Sequence, residues 1–126
     1  MTPTSDFAIA FSPHPAGLRA HVTGVGTMQN TLAYWQAIVA RLQAHPARGL
    51  LVVDEMHGPP LDAGQWEALV ATMKGQGLEG VRIAHAKPLG LQAVEHCEIF
   101  AREVGLQARV FADEATADLW LRYGET

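Results

Sequence analysis

One short run constrains this chain more than any other: Gly49-Leu50-Leu51-Val52-Val53. Four consecutive large apolar residues, with a glycine before them and an aspartate after, suit a strand buried on both faces. Two further short segments, residues 81–84 and 108–111, follow it and read as buried strands, each interrupted by one arginine. Between them the apolar period lengthens to that of a helix. Trp66, Leu69, Val70 and Met73 form one stripe, and Val94, Cys97, Ala101 and Val104 form another. Buried strands that alternate with amphipathic helices imply parallel pairing through crossovers.

Ahead of this region the pattern differs. Phe7, Ile9 and Phe11 alternate, as do Leu18, Ala20 and Val22, in a strand ending near Val25. The turn-rich segment Ser12-Pro13-His14-Pro15-Ala16-Gly17 separates them. Two half-buried strands with a short turn between them read as a hairpin. Trp35, Ile38, Val39 and Leu42 then define a helix, with Thr27 or Asn30 as its cap and His45-Pro46 as its end.

The remaining punctuation is local. Residues 54–61 read as a loop. Asp62 opens a helix with Gln65 in capping-box position, and Leu61 and Trp66 are spaced for a hydrophobic staple. Gly75-Gln76-Gly77 breaks that helix. Pro88 suits the first turn of the third helix, and Gly105 suits its C-terminal cap. Asp113 caps a final helix whose Ala117, Trp120 and Leu121 face inward. The expected class is α/β, with element order β-β-α-β-α-β-α-β-α, in a single domain over residues 1–126.

Composition excludes several function classes. The net charge is −4 and no two of the nine basic residues are adjacent, whereas a nucleic-acid binder concentrates them on one face. An acidic membrane surface is disfavoured for the same reason. Cys97 is the only cysteine, so it has no internal disulfide partner and a multi-cysteine zinc site is ruled out. The start lacks the basic residues of a secretory signal, and the strongest apolar run is too short for a membrane span. A cytoplasmic location is the expectation.

The residues with chemical potential are Asp54, Glu55 and His57, just beyond a strand that should be parallel to its neighbours, with His85 at the end of the next. Ligands of open α/β sheets favour that carboxyl end. A metal site or an acid–base pair is one reading. Solvated loop side chains, with Asp54 bonded to loop amides, is the other, and it carries more weight because loops are polar in any case. Gly75-Gln76-Gly77-Leu78-Glu79-Gly80 has glycine spacing like that of a dinucleotide site, but it leaves a helix and enters a strand, the reverse of what a phosphate loop requires. Gly24-Val25-Gly26 precedes a helix, but Gln29 holds the third glycine position. Cys97 lies mid-helix on an apolar stripe, where thiols are inert. Ser5 and Ser12, the only serines, fit no nucleophile elbow. Trp35, Trp66 and Trp120 all lie on apolar stripes, as core or as an exposed groove. No catalytic residue, metal or cofactor is assigned.

Several of these segments resemble the SpoIIAA-like family, the STAS-type domains of bacterial anti-sigma-factor antagonists and their relatives. Leu50-Leu51-Val52-Val53-Asp54, Leu61-Asp62-Ala63-Gly64, Val81-Arg82-Ile83-Ala84 and Val110-Phe111-Ala112-Asp113, with Ala117 and Trp120-Leu121, carry the likeness, which spans residues 22–123. The resemblance implies a mixed sheet with helices mostly on one face, and a non-catalytic module that binds a protein partner or a second copy of itself. It places the partner-facing segment at Asp54, His57, Asp62, Ala63 and Gly64. In the antagonists the helix start has an aspartate followed by serines, one of which is phosphorylated. Here Ala63 and Gly64 follow Asp62, so no hydroxyl is present for that switch. A small apolar ligand or lipid is the alternative cargo, suggested by the tryptophan-bearing helices. A metal-dependent enzyme using Asp54, His57 and His85 ranks third.

Overall fold

The computed structural model describes residues 7–59, 61–88 and 95–124. In chain order the elements are β1 (Phe7–His14), β2 (Gly17–Val25), α1 (Met28–Ala44), β3 (Gly49–His57), α2 (Ala63–Met73), β4 (Arg82–Ala86), α3 (Glu95–Glu103), β5 (Gln107–Phe111) and α4 (Glu114–Tyr123). The strands form one five-stranded sheet in the order β1-β2-β3-β4-β5. The first pair is antiparallel and every later pair is parallel. The sheet is therefore mixed, with its parallel part built by crossovers and its antiparallel edge by the hairpin.

Register explains the core. Leu18 pairs with Leu50, Leu50 with Ile83, and Ile83 with Ala108. This row enters the larger core cluster together with Tyr34, Trp35, Ile38 and Leu42 of α1, Trp66, Leu69 and Met73 of α2, and Ala101 of α3. Leu51 and Val53 alternate to the other side of β3, where they join Ala84, Ala86 and Phe111 under Ala117 and Leu121 of α4. The four apolar residues 50–53 are thus buried on both faces.

The helix starts follow capping chemistry. Thr27, not Asn30, caps α1: its hydroxyl accepts from the Asn30 amide at 3.1 Å, and the Asn30 side chain instead donates to the Val25 carbonyl. Asp62 and Gln65 form the reciprocal capping box of α2, and Asp113 caps α4 through the Thr116 amide. Leu61 and Trp66 both lie in the larger cluster. The paired Gly17 and Gly49 allow β2 and β3 to begin in close approach. A Cβ at Gly17 would sit 2.3 Å from the Gly49 carbonyl oxygen, and its φ of +150° also disfavours a side chain.

Three boundaries differ from the sequence reading. Residues 54–57 are strand, not loop: β3 stays paired with β2 as far as Val25 and His57. The polar run Asp54, Glu55 and His57 reads as a loop only while its partners are unseen. β4 runs from Arg82 to Ala86, so His85 lies inside a strand. Pro88 sits in a turn, and α3 is described from Glu95. The expected start of the third helix, with Val94, lies outside the described residues, as does the side chain of Cys97. Trp35 and Trp66 are core, whereas Trp120 is half-buried against Phe111, with the Arg82 guanidinium 5.5 Å from its ring. Among the described residues no helix is long and apolar enough to cross a membrane.

Candidate functional site: a buried charge cluster beneath the β3–α2 corner

Alternation along β3 places Leu50, Val52, Asp54 and Met56 on the face that α1 covers. On β4 the same face takes Ile83 and His85. The pairing of Val53 with Ala86 then brings the next residue, Lys87, opposite Asp54. A carboxylate, an imidazole and an amine meet at the carboxyl end of the two central strands because of this parity.

Asp54 is the hub. Its Oδ2 accepts from His85 Nε2 at 2.9 Å and from the Tyr34 hydroxyl at 3.3 Å. Its Oδ1 accepts from Lys87 Nζ at 3.0 Å and from the Met56 amide at 3.0 Å. Lys87 Nζ also donates to the Met56 carbonyl at 2.6 Å. Asp54, His85 and Lys87 are 4%, 2% and 7% exposed. Burial by itself raises the Asp54 pKa. The hydrogen bond and charge of His85, the Lys87 charge and the Met56 amide outweigh it and hold the carboxyl at about 2. An ionised carboxylate only accepts, so His85 Nε2 carries a proton. The other ring nitrogen, Nδ1, is buried without a hydrogen-bond partner among the described residues. The Trp35 ring lies edge-on, with centroids 6.0 Å apart.

A carboxylate that orients an imidazole is the geometry of an acid–base pair, but here both groups are shut away from solvent. What the cluster does physically is hold backbone. It ties both the amide and the carbonyl of Met56, and the next carbonyl, His57, accepts from the Gly26 amide at 2.7 Å. Beyond this anchor the chain turns outward. His57, Gly58 and Pro59 are exposed, with Gly58 at φ +107°, a conformation that favours glycine. Asp62 and Gly64 are exposed at the start of α2, and Ala63 is half-buried. Asp62 is held at both ends of the capping box, its Oδ1 accepting from the Gln65 amide at 2.8 Å and its amide donating to Gln65 Oε1 at 3.0 Å.

The constellation Asp54, Glu55, His57 and His85 is therefore split. Asp54 and His85 are joined. Glu55 and His57 alternate to the opposite side of β3, where Glu55 bonds His21 of β2. Asp54 is not at the surface; it braces the exposed corner from beneath. Among the described residues no group of three or more His, Cys, Asp or Glu is placed to hold a metal. Sequence reasoning missed Lys87 and Tyr34. The signal for Lys87 was its spacing of two from His85, which puts both on one face of an extended chain. Tyr34 lay next to Trp35 of the apolar stripe and carried no separate mark.

The opposite sheet face is polar where α4 meets β1 and β2. Arg19 makes a forked pair with Glu114 at 2.8 and 3.2 Å, and Asp118 accepts from His14 at 2.5 Å and from Arg122. The Arg19 hydrogen bond holds the Glu114 carboxyl below its ordinary range, and the His14 hydrogen bond does the same for Asp118.

No protein-family model matches the chain, and no curated protein matches it significantly.

Proposed function

We propose that this chain is a non-catalytic, cytoplasmic protein-binding module of the SpoIIAA-like type, with helices mostly on one face of its sheet and without the phosphorylation switch of the anti-sigma-factor antagonists. The observation that carries the reading is the β3–α2 corner. Its exposed residues His57, Gly58, Pro59, Asp62 and Gly64 stand on backbone anchored by a buried ion pair and closed by a capping box. Binding residues are found disproportionately on loops that a rigid scaffold positions. The buried cluster suits that scaffold role better than catalysis, because Asp54, His85, Lys87 and Tyr34 are all enclosed.

The test compares capture of partners from extracts of the native cells by the wild type, Gly64→Arg and Gln107→Arg. Gly64 is exposed at the corner, and Gln107 is exposed at the amino end of β5. One protein retained by the wild type and by Gln107→Arg, and lost with Gly64→Arg, is the expected result. Equal recovery with all three would end the reading.

A groove between α1 and α2 favours small-ligand binding as the second reading. It has a volume of about 300 Å³ and is lined by Leu32, Trp35, Val39 and Met73, with Gln36 and Gln43 among its polar groups. Apolar walls with a few polar groups are the usual form of such sites. Native mass spectrometry of protein from its own cells tests it: a bound small molecule supports it, and a bare chain mass argues against it.

A further inference from the structure

The sheet ends in two unlike edges. β5 is short, with five residues, and carries Arg109. β1 is eight residues long, and Phe7-Ala8-Ile9-Ala10-Phe11-Ser12 contains no charge. Edge strands are normally protected by brevity, charge or bulges, because their free N–H and C=O groups template another strand. Among the described residues β1 has β2 as its only neighbour, with an unbroken register from Phe7–Gly24 to His14–Gly17.

Pro13 reveals which backbone groups face outward. Antiparallel ladders alternate hydrogen-bonded with non-hydrogen-bonded pairs. Proline has no N–H, and within sheets it sits where that group would face away from the neighbouring strand. This assigns the pair Pro13–Leu18 to the non-bonded class. Alternation then assigns Phe11, Ile9 and Phe7 to it as well. Their N–H and C=O groups point away from β2, along the open edge. The same three residues direct half-buried side chains towards the larger core cluster. Ala8 and Ala10 project from the other face and are exposed.

An edge of this kind is complementary to itself. We propose that two copies of the chain join through β1, antiparallel about a two-fold axis, with Ile9 facing Ile9 and Phe7 facing Phe11, so that the two sheets become continuous. This register uses every outward N–H of the edge and forms about six backbone hydrogen bonds between the copies. A shift of two residues along the strand would set Phe7 against Pro13, whose missing N–H leaves the Phe7 carbonyl without a donor on each side. On the core side the pairing sets aromatic against aromatic and branched against branched side chain, both favourable cross-strand combinations. On the other side Ala8 faces Ala10, small enough not to obstruct the approach. No like charges oppose one another at the axis, because the edge has none. Closed two-fold pairing of one surface with itself is the commonest form of homo-oligomer. The surface is separate from the β3–α2 corner, so the proposal does not depend on the partner assigned there.

The register gives a charge test on two exposed residues. Sedimentation equilibrium compares the full chain with the double variants Ala8→Lys/Ala10→Lys and Ala8→Lys/Ala10→Glu. Circular dichroism and thermal melting should show both variants folded, since neither side chain is buried. The wild type is expected to be dimeric at about 100 μM. In the first variant the introduced lysines face one another twice across the axis, and the dissociation constant should rise by about tenfold or more. In the second, opposite charges face one another and the dimer should be retained. A monomeric wild type, a dimer unaffected in both variants, or equal loss in both would each overturn the proposal.

Discussion

Lys87 Nζ lies 3.0 Å from Asp54 Oδ1, and both side chains are buried at the carboxyl end of the central strands. A buried ion pair contributes little net stability relative to well-packed apolar residues, but breaking it from one side is costly, because the remaining charge is left without compensation. Asp54→Asn should therefore destabilise the fold by about 3–5 kcal/mol. Lys87→Met removes the charge and keeps much of the side-chain length. The double variant Asp54→Asn/Lys87→Met should lose less than the sum of the two single variants, since the second change removes the unpaired charge created by the first. Urea denaturation of the four proteins measures the coupling. Strict additivity would show that the pair does not act as a unit.

The same carboxylate sets the acid limit. Its pKa is about 2 in the folded chain against 3.8 for the free group. The folded state thus binds fewer protons than the unfolded state between these values, and stability rises with pH across that window. The contribution is fully present above pH 4 and is lost as pH falls towards 2. The depression corresponds to about 2 kcal/mol. Glu114 and Asp118 are also held low, so they add to the loss in the same direction. Denaturation midpoints measured from pH 6 down to pH 2 should fall steeply below pH 4 in the wild type. The fall should be shallower in Asp54→Asn, which lacks the titrating group. Equal slopes would remove Asp54 from the acid transition.

The parts of the fold that were legible in the sequence are those specified locally. Leu50 to Val53 cannot satisfy four large apolar side chains in a row without cover on both sides of a strand, and the two core clusters provide it. Asp62 and Gln65 mark a helix start within four residues. The extension of β3 through residues 54–57 was not legible, because it is specified from a distance. Asp54 is tolerable in the core only because Tyr34, His85 and Lys87, 20 to 33 residues away in the chain, supply donors. Any reading based on local polarity assigns such an aspartate to a loop. The separation of His57 from His85 has the same origin. Once Asp54 is strand, alternation carries His57 to the other face.

At the start of α2 the roles of neighbouring residues can be separated. Asp62 and Gly64 are both exposed, but only Asp62 holds the helix, by accepting from the Gln65 amide. Asp62→Ala should cost about 1 kcal/mol, the usual loss for an aspartate cap. Gly64 has room for a methyl group: a Cβ there would meet only Asp62 Oδ1, at the ordinary contact distance of 3.4 Å. Gly64→Ala should therefore stabilise α2, by about 0.5 kcal/mol, through reduced freedom of the unfolded chain. Thermal melts should move in opposite directions for the two variants. A loss of partner binding in Gly64→Arg could then not be attributed to an unravelled helix, because the alanine at the same position would have shown that the helix tolerates a side chain there. If Gly64→Ala lowers the melting temperature instead, the backbone at the corner is under a constraint that the open space around Gly64 does not reveal, and the Gly64→Arg result would have to be read as a change of shape and not of contact.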